Sequence, residues 1–233
     1  MPGVFMGKPY RVTCPFTCNL TPGESVYGEE LKVVQTKDEP CEKNEYRTWN
    51  PSQSKLAAAI SCGIHNIYMA PGSRVLYLGA ASGITVSHVS DIVGEKGVVY
   101  AVEVSHKRGR ELDEVAKNRP NIVPIIEDAR YPHKYRMLVN TVDCIFSDIS
   151  TRDQTHIIGV NAQYFLSDGG GFVISVHAKR QISGDAMLPE QFYSQTVKDL
   201  RAEKFKPKEQ ITLEPYETNH AIIIGTYLPN RKK

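Results

Sequence analysis

The stretch RVLYLGAASG, residues 74–83, constrains this chain more than any other part of it. Arg74 to Leu78 is apolar, β-branched and aromatic, which reads as a short buried strand. It breaks into Gly79-Ala80-Ala81-Ser82-Gly83, five residues with almost no side-chain bulk, and Ile84 to Val93 then has the length and mixed polarity of a helix. A strand, a tight small-residue turn and a helix N-terminus bring bare backbone N–H groups up against a ligand. Acidic residues close the next three apolar runs: Glu103 after GVVYAVEV, Asp128 after NIVPIIED and Asp148 after VDCIFSDI. This row of carboxylates points to a nucleoside cofactor.

From Arg74 onward the pattern alternates. Strands are predicted at 74–79, 97–104, 121–127, 142–148 and 170–177, with helices at about 84–93, 106–118 and 153–166. Such alternation predicts an α/β fold of right-handed βαβ units, a parallel sheet with helices on both faces. A helix at about 189–203 and strands at 210–213 and 221–228, joined by EPYETNH, complete it. Residues 1–48 lack helical periodicity and read as a small β-rich module, with a strand near 30–34; residues 49–233 form the second domain. Asn50-Pro51 is expected to cap a helix continued by KLAAAISCGIHNIY.

The 233 residues suffice for one sizeable α/β domain with a small appendage. A net charge of +2 decides little, but basic residues gather at Lys107-Arg108-Arg110, Arg130-His133-Lys134-Arg136, Lys179-Arg180 and Arg231-Lys232-Lys233. These clusters suit a polyanion, and equally a solvated surface. Five scattered cysteines make no disulfide framework; Cys14 and Cys18 lack a second ligand pair for zinc, and Cys144 sits in a core strand. Without a membrane-length apolar run or a signal segment, the expectation is a reduced, intracellular, soluble protein with no metal.

In an open parallel sheet, ligands bind beyond the carboxyl ends of the strands, where the strand order reverses. Gly79 to Gly83, Glu103, Asp128 and Asp148 all fall at such ends, and Glu103 can accept from both ribose hydroxyls. A dinucleotide turn wants glycine at the first, third and sixth positions; here those are Gly79, Ala81 and Ile84, and Ile84 is too bulky. No Lys-Ser or Lys-Thr pair follows, which removes the P-loop reading. Gly83 at the fifth position suits S-adenosylmethionine.

The segments EYRTWNPSQSKLAAAI, PGSRVLYLGAASGITVSHVSDIVG, GVVYAVEVSHKRGR, NIVPIIEDARYPHKYRM and LEPYETNHAIIIGTY, with TPGESVYGEE near the start, resemble the fibrillarin family from about Thr21 to the C-terminus. The resemblance implies a class I S-adenosylmethionine-dependent methyltransferase, a Rossmann-like seven-stranded sheet behind a small N-terminal β-rich domain. It implies transfer of a methyl group from S-adenosyl-L-methionine to the ribose 2′-hydroxyl of rRNA, within a box C/D guide ribonucleoprotein. Its implied partners are a Nop-domain scaffold protein, a guide RNA, a kink-turn-binding protein and the rRNA substrate, with no membrane. The implied location is the nucleus and nucleolus, or the cytoplasm of an archaeal source. Cofactor contacts would be Gly79, Ala81, Gly83, Ile84, Thr85, Glu103, Val104, Asp128, Ala129, Asp148, Ile149, Ser150 and Thr151. Catalytic residues would be Lys55, Asp148, the position of His177, and His220. Without the family, Lys55 reads as a solvated helix lysine, so its role rests on the resemblance.

Three departures stand out. The strand position normally held by lysine is His177, one of the two threonines after the glycine turn is Ile84, and the glycine- and arginine-rich N-terminal extension is missing from the sequence. Period-2 alternation puts Val173, Ser175, His177 and Lys179 on one strand face, so either His177 replaces the lysine or Lys179 reaches back. Two other functions stay open: methylation of a protein glutamine, as on histone, and a cofactor-binding structural subunit with weakened catalysis.

Overall fold

The computed structural model describes residues 1–7, 14–35, 43–178 and 188–229. Four short strands, β1 (Val4–Gly7), β2 (Cys14–Cys18), β3 (Leu31–Gln35) and β4 (Lys43–Thr48), form an antiparallel sheet in the order β1-β2-β4-β3. A seven-stranded sheet follows, built from β5 (Arg74–Leu78), β6 (Val98–Val102), β7 (Ile122–Ile125), β8 (Val142–Ser147), β9 (Leu166–His177), β10 (Phe205–Thr212) and β11 (His220–Tyr227). Its order is β10-β11-β9-β8-β5-β6-β7, with β5 to β9 parallel and β10 and β11 antiparallel. The chain runs outward from β5 to β7 and returns to β8 on the other flank of β5. The order therefore reverses between β5 and β8, where a crevice opens at the strand ends.

Alternation along the central strands divides the core in two. Val75 and Tyr77 join Cys144, Phe146 and Val173 beneath α1 (Lys55–Ser61), α2 (Ile84–Val93) and α3 (His106–Lys117). Leu76 and Leu78 join Ile145, Phe172 and Ile174 beneath α4 (Gln154–Phe165) and α5 (Pro189–Ala202). Both faces are covered, which is why these strands read as nearly continuous apolar runs.

The structure corrects several expected boundaries. Ser54, not Asn50, caps α1, and its hydroxyl accepts from the Ala57 N–H. The Asn50 side chain accepts from the Ser52 N–H instead, making a local turn that competes with helix. The helix stops at Ser61, before Gly63 at φ +96° and Tyr68 at φ +56°, so the segment to Tyr68 does not continue it. Strand β9 begins at Leu166 and β10 at Phe205, each earlier than the sequence pattern suggested. Three glycines and an aspartate at the start of β9 hid it, and the charged outer face of FKPKEQIT hid β10.

A buried charge network ties the small sheet to α2. Asp91 bridges Arg47 of β4 and Arg119, while Arg47 also binds Glu29. Beside them His88, fully buried, stacks on Trp49 with ring centroids 4.7 Å apart. The Thr17 hydroxyl donates to Asp91 at 2.8 Å, so its oxygen accepts from His88 Nδ1, while the Tyr27 hydroxyl lies 2.8 Å from Nε2 and 3.2 Å from the Thr48 carbonyl. Burial, with Arg47 and Arg119 adding to it, holds the imidazole well below its usual range.

The unfolded chain would protonate this histidine near pH 6.5, whereas the folded chain would not. As pH falls below about 6.5 the unfolded state gains a proton and stability declines, with a limiting slope of about 1.4 kcal/mol per pH unit. We expect denaturant titrations between pH 8 and pH 5.5 to show this loss, and the H88Q variant to show less of it. Equal slopes for the two proteins would contradict the assignment.

Candidate active site

The glycine turn meets the end of β8 at the crevice. Gly79 has φ +85°, and a Cβ there would lie 3.1 Å from the Asp148 carbonyl oxygen and 3.2 Å from Ile149, so only glycine allows this approach. Ala81 also adopts a positive φ, +50°. Its N–H donates to Glu103 Oε2 at 2.8 Å, while the Ser105 N–H donates to Oε1 at 2.8 Å. Glu103 therefore pins the turn in addition to facing the cavity, a second task that the sequence did not reveal.

A cavity of about 380 Å³ lies over these strand ends. Of the anticipated residues, Lys55, Gly79, Ala81, Glu103, Val104, Asp128, Ala129, Asp148, Ile149, Ser150 and Thr151 line it. Gly83, Ile84 and Thr85 do not. A Cβ at Gly83 would press on Leu112 and Val115 of α3, and Ile84 lines a neighbouring cavity against Tyr27 and Glu24. Thr85 spends its hydroxyl on the Ser54 hydroxyl at 3.0 Å, joining α2 to the cap of α1. Arg108, Glu127, Arg130, Val102 and Ile157 line the cavity without having been anticipated there. The first three sit in charged runs that a solvated surface explains equally well. Arg130 is paired with both Asp128 and Asp153, which holds the Asp153 carboxyl below the usual range.

At the cavity's edge the start of α1 delivers Lys55, whose Nζ lies 2.6 Å from Asp148 Oδ1. About a fifth of each side chain reaches the surface. Burial pushes the Asp148 carboxyl up; Lys55, the Ser175 hydroxyl and His220 oppose this without cancelling it.

One strand end further along, His177 and His220 face each other in the β9–β11 register. Ala178 N–H donates to Asn219 across the ladder, and the His220 carbonyl accepts from Leu213 on its other side. His177 and His220 are therefore a non-hydrogen-bonded pair, the kind that brings side chains closest. Their rings stack with centroids 4.0 Å apart and planes 10° from parallel. His220 Nδ1 lies 2.9 Å from the Thr218 carbonyl, which can only accept, so Nδ1 carries a proton and the neutral ring keeps its lone pair on Nε2. Lys179 lies outside the described residues. Among the described residues, no cluster of His, Cys, Asp or Glu could hold a metal ion, and no helix is long and apolar enough to cross a membrane.

The family model for fibrillarin matches residues 1–229. The chain belongs to the fibrillarin family. It is 56% identical over 231 residues to the rRNA 2′-O-methyltransferase fibrillarin of Drosophila melanogaster, covering 99% of this chain and 65% of that protein. The chain thus spans just under two-thirds of that relative's length. Fibrillarin from Aeropyrum pernix, solved with natively bound S-adenosyl-L-methionine, superposes with a TM-score of 0.83 at 36% identity, covering 96% of this chain and 94% of that one. The fibrillarin of a fibrillarin/Nop5p complex superposes with a TM-score of 0.81 at 38% identity, covering 98% of each chain.

The ion pair makes a direct prediction. Replacing Lys55 with methionine removes the positive charge that opposes burial, so the Asp148 carboxyl should titrate at still higher pH. Carboxyl-carbon NMR titration of both proteins measures this. An unchanged Asp148 titration in a folded K55M variant would show that the pair does not form.

Proposed function

We propose that this chain transfers a methyl group from S-adenosylmethionine to a ribose 2′-hydroxyl of rRNA, as the catalytic subunit of a box C/D guide ribonucleoprotein. The observation that carries this reading is the Lys55–Asp148 pair at the cavity's edge, one strand end away from two stacked imidazoles. The cavity suits the cofactor. Glu103 lies at the end of the second strand for a ribose, Asp128 follows at the end of the third, and the glycine turn is followed by no Lys-Ser or Lys-Thr pair for a phosphate. The cofactor-bound Aeropyrum relative supports the same assignment, and the Nop5p complex supports a Nop-domain scaffold as partner. Guide RNA, a kink-turn-binding protein and a nucleolar location complete the proposal.

The bound cofactor supplies a methyl group activated by a positively charged sulfur. The chain's own residues must orient a weakly acidic hydroxyl behind that methyl and manage its proton. Lys55, fixed by Asp148, offers an ammonium group to hold the hydroxyl and to stabilise charge developing on its oxygen. In its neutral form the His220 ring offers the Nε2 lone pair as proton acceptor. His177, stacked on it, takes the position where the family resemblance implies a lysine.

That substitution also favours a second reading, a cofactor-binding subunit with weakened catalysis. Single-turnover methylation in the assembled particle separates the two. Loss of activity in H177A, with activity retained in H177K, supports catalysis by this strand end. Full activity in H177A with loss in K179A would make the histidine a bystander, and activity in H177K alone would establish the weakened subunit. Methyl transfer to a protein glutamine, but not to RNA, would replace the acceptor.

Two further outcomes follow. Glu103→Ala should weaken S-adenosylmethionine binding by about 1.5–3 kcal/mol, the scale of a lost charge-assisted hydrogen bond. Calorimetry checks this, and tighter binding of NAD than of S-adenosylmethionine would sink the reading. With a net charge of only +2, the chain alone should bind RNA weakly and methylate little without scaffold and guide. Efficient site-specific methylation by the purified chain would contradict that.

A further inference from the structure

The parallel ladder between β8 and β9 ends at the Ser147–Ile174 pair, yet β9 continues to His177 against β11. One edge of β9 thus loses its strand partner just where the site begins. The donation from Ala178 to Asn219 fixes the parity there: Ala178 turns toward β11, so Ser175 and His177 turn their backbone groups toward the side β8 has left. A side chain fills the gap. Gln154, the first residue of α4 and only 6% exposed, directs Nε2 to the Ser175 carbonyl at 2.8 Å. The same nitrogen lies 3.3 Å from the Ser147 hydroxyl and 3.5 Å from the Ser147 carbonyl. One amide therefore spans the splay, one residue before Asp148 on β8 and two before His177 on β9. The Ser175 side chain in turn is among the groups that oppose the rise in the Asp148 carboxyl's proton affinity.

We propose that Gln154 is a positioning residue for methyl transfer: by bridging β8 and β9 it sets the placement of the Asp148 carboxylate relative to the His177–His220 pair. Gln154 is not among the residues lining the cavity, so it acts through Ser147 and Ser175 and touches neither cofactor nor acceptor. Among the described residues, the charged groups near the pair include Lys55 from α1, Asp148 after β8, and Glu217 in the turn before β11, 3.8 Å from His220. Glu214 of the same turn accepts from the Asn219 N–H, next to His220. A shift of β9 against β8 alters the distance from the pair to Asp148 and Lys55 but not to the Glu217 turn. This inference rests on the functional reading above, and its test keeps the two apart.

The test uses the full chain with Gln154→Met, which keeps the length and loses the donor, and Gln154→Glu. For Gln154→Met we expect a S-adenosylmethionine Kd within about twofold of the parent, because cavity-lining groups are untouched. Single-turnover methylation in the assembled particle should fall roughly 10- to 100-fold, the effect of a small misplacement at a reacting centre. Histidine NMR titrations of the isolated chain should show the His177 and His220 curves displaced. For Gln154→Glu the deficit should be greatest at neutral pH and shrink as pH falls, since a protonated carboxyl donates again; a cavity defect has no such dependence. Parental rate and unmoved histidine curves in a folded Gln154→Met protein would overturn the proposal. So would equal losses of rate and cofactor affinity, or a Gln154→Glu deficit independent of pH. Should the parent itself transfer no methyl group to RNA, the functional reading fails, and the histidine titrations alone decide the positioning role. Should Gln154→Met fail to fold, the pH dependence of Gln154→Glu decides it.

Discussion

A carboxylate forced out of water needs a partner, and Asp148 finds one in Lys55 at 2.6 Å. Much of the surrounding structure serves that single contact. The β5–β8 reversal puts Asp148 at a strand end, and the absence of a side chain at Gly79 lets the turn come within van der Waals reach of its backbone. Helix α1 must start where it does for its first residue to reach the acid. Its cap, Ser54, is held in turn by Thr85 from the first turn of α2. Burial raises the carboxyl's affinity for a proton and the ammonium opposes it, so the pair's geometry governs the charge at the site.

The small sheet is joined to the rest through a comparable arrangement, deeper and closed to solvent. Arg47, Glu29, Asp91 and Arg119 balance two positive against two negative charges, and His88 stays neutral beside them. Ion pairs this buried contribute little net stability over an apolar replacement, while removal of one partner is costly. Their effect is to fix one docking of the sheet on α2. The division at residue 48 anticipated from composition falls at the end of β4, yet Arg47, one residue earlier, is among the most deeply buried groups in the chain.

The sequence made the parallel strands legible because both faces of the sheet are covered, leaving runs such as RVLYL and VDCIFS that admit little else. It also exposed the carboxylates at strand ends. Boundaries were less legible where local chemistry offered competing turns: Asn50 satisfies its own loop, and the glycines opening β9 resemble a linker. Pairings across long separations could not be read from spacing at all. Neither the use of Thr85 to hold Ser54, nor the Gln154 bridge, nor the stacking of His177 on His220 leaves a periodic trace, since each depends on strand order and ladder parity.

Glu103 carries a consequence of another kind. Both its oxygens already accept backbone N–H bonds, one from Ala81 in the glycine turn and one from Ser105 at the cap of α3. Each oxygen keeps further lone-pair capacity, so a hydroxyl-bearing ligand would share the carboxylate with the fold and would not have to recruit it. A glutamine there would set an NH₂ against one of those N–H donors, disturbing the turn's shape along with its charge. The group suited to recognise a sugar is also the clasp that closes the turn, so affinity and local architecture cannot drift independently at this position.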